Sequence, residues 1–309
     1  MASLSRFGLM LEPQEGMTVS ELFRWGNFAD RAGYGYLFRS DHLLPTSGTR
    51  GIDSTECWTT LATLSVRTKK VKFGPMVTPV GFRNPAVLAR MACTVHSISN
   101  GRLQLGIGAG WYKDEYDAHG IPFPGFAARK RQLREALVIV SSLVRGKKVD
   151  LDGKYFSAHT ECLPKPKSRM NLIVGGRSRG TVALASEFAD EWNFFGPTKE
   201  TFMPLRKFIE AASRKIVISQ TGPFILGEDN RDLEAKLRKW AARRGVEKDV
   251  SVFKRELRRF GVILGTPEEF VSELQERREW GIEKFYLQLA DPTAKSSAGL
   301  LTDVLRRGV

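Results

Sequence analysis

The sequence predicts an α/β protein built as a closed (β/α)8 barrel with insertions, and three observations support this prediction. Short apolar runs alternate with amphipathic, helix-like segments along the 309 residues, which favours a parallel sheet. The apolar runs number eight, as the strands of such a barrel do. Glycine and polar residues follow several of these runs directly, as expected where strand ends form a binding face. An open, doubly wound sheet is the second interpretation.

The eight predicted strands are short and rich in apolar or aromatic residues, and turn residues separate them. In chain order they are Phe7–Leu11, Tyr34–Arg39, Val71–Thr78, Leu103–Ile107, Leu172–Val174, Trp192–Phe195, Ile216–Ser219 and Phe285–Leu289.

Helices are predicted between the strands, and capping sequences mark several of their first residues. A Thr or Asn N-cap is followed by Glu three residues later, by proline at the first helical position, or by both. These starts lie at Thr18, Asn84 and Thr266. The sequence beyond a minimal barrel is assigned to insertions near residues 43–57, 110–128, 147–170 and 228–262. Because no linker divides the chain, a single domain over residues 1–309 is expected.

The chain is strongly basic, with 48 Lys and Arg against 34 Asp and Glu and a formal net charge of +14. Such an excess fits nucleic acid, an acidic membrane surface or an anionic small ligand. Much of it alternates with acids in Arg231–Arg259, which is typical of solvated helices with i,i+4 pairs. Since the sequence has no nucleic-acid-binding motif, no membrane-spanning apolar run and no secretory signal, we expect a cytosolic protein with a small-molecule ligand.

Three classes of site are disfavoured by residue spacing. Cys57, Cys93 and Cys162 are odd in number and widely spaced, so reduced and mostly buried thiols are expected, with neither a disulfide framework nor a zinc ribbon. No histidine and carboxylate pattern of metal-ligand spacing occurs, so no metal is expected. The absence of a G-x-S-x-G sequence disfavours a serine hydrolase.

The end of the second predicted strand has the residues best suited to proton transfer. His42 follows Asp41 there, and histidine exchanges protons near neutral pH. Adjacent residues of a strand point to opposite faces, so we do not expect Asp41 to orient His42 directly. A structural histidine bonded to the backbone is the alternative.

Two glycine-rich segments follow other strands. The Gly106-x-Gly108-x-Gly110 sequence is similar to a dinucleotide fingerprint only in part, and a tight turn is the alternative. The segment from Gly175 to Thr181 is more informative, because glycines, arginines and a serine lead directly into a helix. Free amides at a helix N-terminus, with a guanidinium and a hydroxyl, form a phosphate site. An exposed glycine-rich loop is the alternative.

Several short motifs occur in an order that is more specific than any one of them. They are Ser40–Leu43 (SDHL), Glu56–Thr60 (ECWTT), Val77–Val80 (VTPV), Phe82–Pro85 (FRNP), Gly101–Leu103 (GRL), Gly108–Tyr112 (GAGWY) with Glu115-Tyr116, Gly120–Pro124 (GIPFP), Cys162–Pro166 (CLPKP) and Val174–Gly176 (VGG). From about Phe7 to Leu289 the chain resembles the luciferase-like monooxygenase superfamily. It is most similar to the branch of oxidoreductases that depend on the deazaflavin coenzyme F420.

The resemblance implies a TIM barrel of the bacterial-luciferase type that binds a flavin or deazaflavin at the carboxyl ends of its strands. By this resemblance Asp41 contacts the deazaflavin, and His42 lies near the reacting carbon. Thr78 lines the ring, and Met76-Val77 matches a bulge, often with a non-proline cis peptide, that supports it from behind.

The resemblance also implies contacts to the rest of the cofactor. Ala109 and Gly110 match the turn that approaches the cofactor's side chain. The phosphate-binding segment is matched by Gly175, Gly176, Gly180 and Thr181, and Arg177 and Arg179 are expected to attract the anionic tail.

One position departs from a group within the superfamily. Sugar-phosphate dehydrogenases carry a proton-transferring Glu where this chain has Trp111. Glu115 lies four residues later and is interpreted as a helix-start residue, which leaves the second acid or base unassigned. Trp111 and Phe82 are expected to hold the substrate.

The sequence therefore predicts an enzyme that transfers a hydride between F420 and an unidentified organic substrate, with His42 moving the paired proton. An FMN-dependent monooxygenase that uses reduced flavin and oxygen is the main alternative. A non-catalytic flavoprotein and a basic nucleic-acid-binding barrel are further alternatives. A homodimer is expected by resemblance.

Overall fold

A ring of parallel strands forms the centre of the molecule, as the sequence predicts. The structure is a computed structural model that describes residues 3–212, 214–243, 245–246, 249–289 and 295–308. The strands within these ranges are β1 (Phe7–Leu11), β2 (Tyr36–Arg39), β3 (Lys72–Pro75), β4 (Thr78–Pro79), β5 (Gln104–Gly108), β6 (Val149–Asp152), β7 (Ser157–Thr160), β8 (Asn171–Gly175), β9 (Glu191–Phe195), β10 (Val217–Leu226), β11 (Ile263–Gly265) and β12 (Lys284–Leu289).

The barrel closes between its third and fourth strand positions. Parallel neighbours run in the order β3, β2, β1, β12, β10, β9, β8, β5 and β4, so that β3 and its continuation β4 share the third position. A parallel bridge between Phe73 and Leu103 joins β3 to β5, and the Phe73 amide donates to the Arg102 carbonyl at 3.2 Å. Closure excludes the open doubly wound sheet and confirms the predicted (β/α)8 class.

Each of the eight predicted strands overlaps one barrel position, and the differences lie at strand ends. The third strand is interrupted at Met76-Val77, and β10 extends seven residues beyond the predicted Ser219, to Leu226. Regular elements lie inside two of the predicted insertions. The antiparallel hairpin β6–β7 fills part of 147–170, and 228–262 contains two helices and is followed directly by β11, which pairs with β10.

Helices form the outer layer and follow the barrel strands. They are α1 (Val19–Ala32), α2 (Cys57–Arg67), α3 (Pro85–Ile98), α4 (Lys113–Ala118), α5 (Phe126–Val144), α6 (Arg179–Phe188), α7 (Lys199–Glu210), α8 (Asn230–Arg243), α9 (Val250–Arg259), α10 (Pro267–Glu279) and α11 (Lys295–Gly308). Among the described helices, none is both long enough and apolar enough to cross a lipid bilayer.

The predicted capping sequences begin the helices they were assigned to. The Glu21 amide donates to Thr18 Oγ1 at 3.2 Å, and the Glu21 carboxylate accepts from the Thr18 amide at 2.9 Å. At α3 the Asn84 side chain accepts from the Ala86 amide at 2.9 Å. These bonds satisfy amides that have no acceptor within the helix, so local sequence fixes the helix starts.

The segment Arg231–Arg259 is not the fully solvated helix that its charge pattern predicts. It forms α8 and α9, and Leu237 and Phe253 are among the buried residues of a separate apolar cluster that these helices make against β10 and β11. The expected i,i+4 pairs occur on the solvent side, as between Asp232 and Lys236 at 2.7 Å. Residues 244, 247 and 248 of this insertion lie outside the described residues.

The interior of the barrel is filled, which confines ligand binding to its rim. Near the amino ends of the strands, the fully buried Glu191 carboxylate accepts from Lys284 Nζ and from the Tyr286 hydroxyl, each at 2.6 Å. Closer to the carboxyl ends of the strands lies an apolar layer that includes Phe38 and Ile173. The ion pair and the apolar layer leave the carboxyl ends of the strands as the face that can accept a ligand.

The Glu191–Lys284 pair yields a stability prediction. Lys284→Met leaves a carboxylate buried without its cation, and we expect the free energy of unfolding to fall by about 3 kcal/mol. The matched control is Lys72→Met. The ammonium of Lys72 lies 5.8 Å from the Tyr36 ring, over which Lys284 also lies, but Lys72 is exposed. Chemical denaturation of both variants near neutral pH measures the difference. Equal losses in the two variants would contradict a structural role for the buried pair.

Candidate active site

The carboxyl ends of β2 and β5 bring a histidine and a carboxylate into contact. His42 Nδ1 lies 3.1 and 3.0 Å from the two carboxylate oxygens of Glu115, and the Leu43 amide donates to the same carboxylate at 3.0 Å. Glu115 is only 1% exposed on α4. It is therefore the buried partner of His42, and the interpretation of Glu115 as a mere helix-start residue is wrong.

This contact raises the pKa of His42. Burial lowers the pKa of the imidazole, but the hydrogen bond and the charge of Glu115 raise it more, so the pKa of His42 lies above its ordinary value. The charges of Glu12 and Asp41 add to this rise. Since Nδ1 faces Glu115, Nε2 is the ring nitrogen that can exchange a proton with a bound substrate.

Asp41 belongs to a different network. Its carboxylate has no exposed surface and accepts from the Arg83 guanidinium at 2.6 and 3.2 Å and from Thr78 Oγ1 at 2.8 Å. Trp58 Nε1 donates to Thr78 Oγ1 at 3.2 Å. As predicted, Asp41 does not orient His42. Because the polar atoms of Asp41 and Thr78 are bonded within the protein, the structure places both residues behind the rim, and their contacts to a cofactor stay a prediction.

The bulge at the third barrel position lies over three glycines. The Met76-Val77 peptide is a non-proline cis peptide, as the resemblance implies. A Cβ at Gly108 would lie 2.6 Å from the nearer Val77 methyl group. A Cβ at Gly175 would lie 2.9 Å from the Val77 methyl group nearer to it. A Cβ at Gly106 would lie 2.3 Å from the Pro75 carbonyl oxygen. These four residues, Val77 with Gly106, Gly108 and Gly175, form what we call the glycine floor.

The glycine floor fits a planar ring. Gly108 and Gly175 stand at the carboxyl ends of β5 and β8, so no side chain projects from these positions. The half-buried Val77 fills the space that such side chains would take. The surface at this side of the rim is therefore apolar, and the polar His42–Glu115 pair lies at the same, carboxyl ends of the barrel strands. Cofactor sites are lined mainly by apolar groups with a few placed polar groups, and this part of the rim has that composition.

The turn after β5 is also closely packed. A Cβ at Gly110, whose φ is +75°, would lie 2.2 Å from the Tyr116 hydroxyl. Ala109 is buried next to it. Tyr116 in turn packs against Phe82, with ring centroids 4.8 Å apart. Phe82 therefore supports α4, and its predicted contact with the substrate stays untested.

Trp111 is the exposed aromatic residue of this region. Its indole is 64% exposed, and its ring lies edge-on to His42 with centroids 5.7 Å apart. The neighbouring Tyr112 stacks at a tilt against it at 5.3 Å and donates to the Pro45 carbonyl at 3.2 Å. The structure thus brings Trp111, which is expected to hold the substrate, next to the histidine.

The predicted phosphate segment leads from β8 into α6, but part of it is already bonded. The Thr181 hydroxyl donates to the Ser178 carbonyl at 2.9 Å, and the Gly176 amide donates to the Asn193 carbonyl at 3.1 Å. The amides of Arg179 and Gly180 lie in the first turn of α6, where a helix offers them no acceptor. These two amides, rather than the Gly176 amide or the Thr181 hydroxyl, are available to an anion.

Lys130 is a residue of this site that sequence reasoning missed. A Cβ at Gly180 would lie 2.6 Å from Lys130 Cδ and 2.9 Å from Nζ, so an ammonium lies at the N-terminus of α6. Among the described residues, no carboxylate lies within 4.0 Å of Lys130, Arg177 or Arg179. A cation beside the positive end of a helix is unfavourable unless an anion lies between them. The group is therefore a candidate binding site for an anion.

No cluster of three or more His, Cys, Asp or Glu side chains suited to a metal occurs in the part of the chain that the structure describes.

Comparisons with known proteins place the chain in a family. The sequence model of the luciferase-like monooxygenases matches residues 1–284. Pyrimidine monooxygenase RutA of Pseudomonas savastanoi pv. phaseolicola is 35% identical over 197 residues, or 58% of this chain and 52% of that protein. RutA of Methylorubrum extorquens is 33% identical over 195 residues, or 60% and 51% of the two chains. The chain spans about half the length of the curated relatives it matches.

Solved structures share the fold over nearly the whole chain. An F420-dependent secondary alcohol dehydrogenase in complex with an F420-acetone adduct has a TM-score of 0.80 at 20% identity and covers 98% of both chains. The monooxygenase RslO1 of Streptomyces bottropensis has a TM-score of 0.79 at 21% identity and the same coverage. The F420-dependent tetrahydromethanopterin reductase of Methanopyrus kandleri has a TM-score of 0.77 at 19% identity, covering 100% and 99%. At these identities the likeness shows the barrel fold alone.

The His42–Glu115 contact yields a prediction that needs no cofactor. Glu115→Gln removes the carboxylate and leaves burial as the main influence, so we expect the pKa of His42 to fall below the ordinary histidine value. In the wild type it lies above that value. A titration of the four histidines followed by NMR measures both. The internal control is the exposed His159, whose pKa is raised by Asp150 and Asp152 and stays the same in the variant.

A His42 titration that is unchanged by Glu115→Gln would contradict the pairing. A shift of His159 as large as that of His42 would point to a general change of the fold instead.

Proposed function

Because the chain belongs to the luciferase-like monooxygenase family, and is an oxidoreductase by that membership, we propose that it transfers a hydride between the deazaflavin coenzyme F420 and an organic substrate. The proposal rests on one observation. The His42–Glu115 pair and the glycine floor, which fits a planar ring, both lie at the carboxyl ends of the barrel strands. When bound, the deazaflavin supplies the hydride-transfer chemistry.

The chain's own residues divide the binding of the coenzyme into two parts. Val77 and the three glycines offer the apolar surface for the ring. Lys130, Arg177 and the first amides of α6 offer positive charge for the tail. Lys130, Arg177 and Arg179 have no carboxylate partner among the described residues. Three such cations suit a tail with several negative charges better than a single phosphate, and this favours F420 over FMN.

His42 moves the proton that accompanies the hydride. Reduction of a carbonyl or a similar group requires a proton at the atom that gains charge, and a positioned acid supplies it. Glu115 holds Nδ1 and raises the pKa of the imidazole, so that Nε2 donates to the substrate and accepts the proton in the reverse direction. Trp111, exposed beside His42, offers a face for the substrate.

A flavin monooxygenase is the second candidate function. The relatives that are 33–35% identical to this chain are named pyrimidine monooxygenases, and this observation favours FMN, with reduced flavin and oxygen as reactants. The same floor and the same basic group would hold the flavin and its phosphate. The relative affinity of the protein for F420 and for FMN therefore distinguishes the two candidate functions.

Titration of the purified protein with oxidised F420 and, separately, with oxidised FMN tests the proposal, with quenching of coenzyme fluorescence as the readout. We expect F420 to bind at least about tenfold more tightly, a difference of about 1.4 kcal/mol. Tighter binding of FMN would select the second candidate. If neither coenzyme quenches at high concentration, both functions are wrong.

The role of the basic group has its own prediction. Lys130→Met should weaken binding of the preferred coenzyme about tenfold, because a charge-assisted contact to the anionic tail is lost. The control is Lys113→Met, since Lys113 is exposed and already paired with Asp117. The loss should shrink as salt is raised. Equal affinities in the two variants would place the tail elsewhere.

The proton-transfer role predicts how turnover changes. With any substrate that the wild type turns over, His42→Gln should lower kcat by about 10²-fold or more while the coenzyme affinity changes little. In the direction that needs an acid, the wild-type kcat/KM should fall as pH rises through the raised pKa of His42, and Glu115→Gln should move that fall to lower pH. A parallel loss of kcat and coenzyme affinity would make His42 a binding residue.

A further inference from the structure

Two cysteines lie side by side outside the barrel, on the face formed by α2 and α3. Cys93 is on α3, Cys162 follows β7, and both thiols are free and buried. Burial raises the pKa of Cys93, and the charge and the hydrogen bond of the Cys162 thiol raise it further, to about 12. The Cys162 thiol thus lies close enough to Cys93 to raise its pKa, and both thiols are free and buried, as the sequence predicts.

An arginine explains why these residues meet. The Arg90 guanidinium donates to the carbonyl of Glu161 at 3.0 Å and to that of Leu163 at 3.1 Å. These carbonyls flank Cys162. Arg90 precedes Cys93 by three residues on α3, so the two side chains share a helix face. The guanidinium thus holds the chain at Cys162 against the part of α3 that bears Cys93.

Cys162 also has access to solvent through a groove. The groove has a volume of about 560 Å³ and is lined by Cys162, by Met91 and Val95 of α3, and by Leu143 of α5. Its walls are mainly apolar. A small, uncharged molecule can enter such a groove with little loss of hydration, whereas a charged one cannot.

We propose that Cys93 and Cys162 form an oxidisable dithiol site, which a small hydroperoxide entering the groove converts to a disulfide. The Cys162 sulfur attacks the peroxide, the O–O bond breaks, an alcohol or water leaves, and Cys162 becomes a sulfenic acid. The Cys93 sulfur then displaces the hydroxyl group, which leaves as water, and the S–S bond forms. In sum, two thiols lose two electrons and two protons, and one hydroperoxide becomes one alcohol and one water.

The third cysteine differs from this pair in ways that make it an internal control. Cys57 is fully buried at the start of α2, and burial together with the Asp41 charge raises its pKa well above the ordinary value. Cys162 lines the groove and Cys57 does not, so a peroxide that enters the groove reaches Cys162 and Cys57 should stay reduced. The dithiol site is also independent of the proposed coenzyme, because its residues do not touch the glycine floor or the His42–Glu115 pair.

The test treats the reduced, purified protein with hydrogen peroxide, alkylates the remaining thiols after unfolding and maps the peptides by mass spectrometry. We expect a Cys93–Cys162 disulfide, a mass loss of about 2 Da in the intact protein, and alkylation of Cys57 alone. When the oxidised protein is reduced with dithiothreitol before alkylation, all three thiols should be alkylated. Three alkylated thiols after peroxide, or a sulfinic acid at Cys162 without a disulfide, would overturn the proposal.

Variants separate the pair from general oxidation. Cys57→Ser should form the same disulfide at the same rate. Cys93→Ser should lose it and accumulate oxidised Cys162, because no resolving thiol remains. A disulfide that includes Cys57 in the wild type would also overturn the proposal. The wild-type map decides the question even if a variant folds poorly.

Discussion

The close approach of β3 to β5 is the constraint on which the rest of this barrel depends. A Cβ at Gly74 would lie 1.8 Å from the Gln104 carbonyl oxygen, and one at Gly106 would lie 2.3 Å from the Pro75 carbonyl oxygen. Only glycine allows the two strands to meet there and close the ring. The same closure forces the chain at Met76-Val77 out of the regular strand and onto Gly108 and Gly175. Closure of the barrel and formation of a flat floor are therefore one structural event.

Much of the fold follows from local sequence, because the signals that fix it lie within a few residues. The strand Phe7–Leu11 and the capping box at Thr18 depend only on near neighbours, and both were predictable. The pairing of His42 with Glu115 joins residues 73 positions apart and depends on how α4 lies over β2, which no local pattern encodes. The position of Lys130 likewise depends on the packing of α5 against α6.

The resemblance contributed what physical reasoning from the residues could not. Nothing in the composition of Met76-Val77 predicts a cis peptide, yet the structure contains one at that bond. The resemblance was less informative about Asp41, whose carboxylate is bonded to Arg83 and Thr78 behind the rim. Arg83 lies 42 residues from Asp41, so the sequence could not show that this carboxylate already has a partner.

The charges of the molecule differ in how they are compensated, and this difference bears on function. Glu191 and Lys284 neutralise each other inside the barrel, so neither requires a ligand. The contact of His42 with Glu115 uses Nδ1 and raises the pKa of the imidazole, which leaves Nε2 for proton exchange. The cations around the N-terminus of α6 have no carboxylate partner among the described residues, and the helix end adds to their charge. This part of the rim therefore offers positive charge to an anionic ligand, and the net charge of +14 favours the approach of such a ligand.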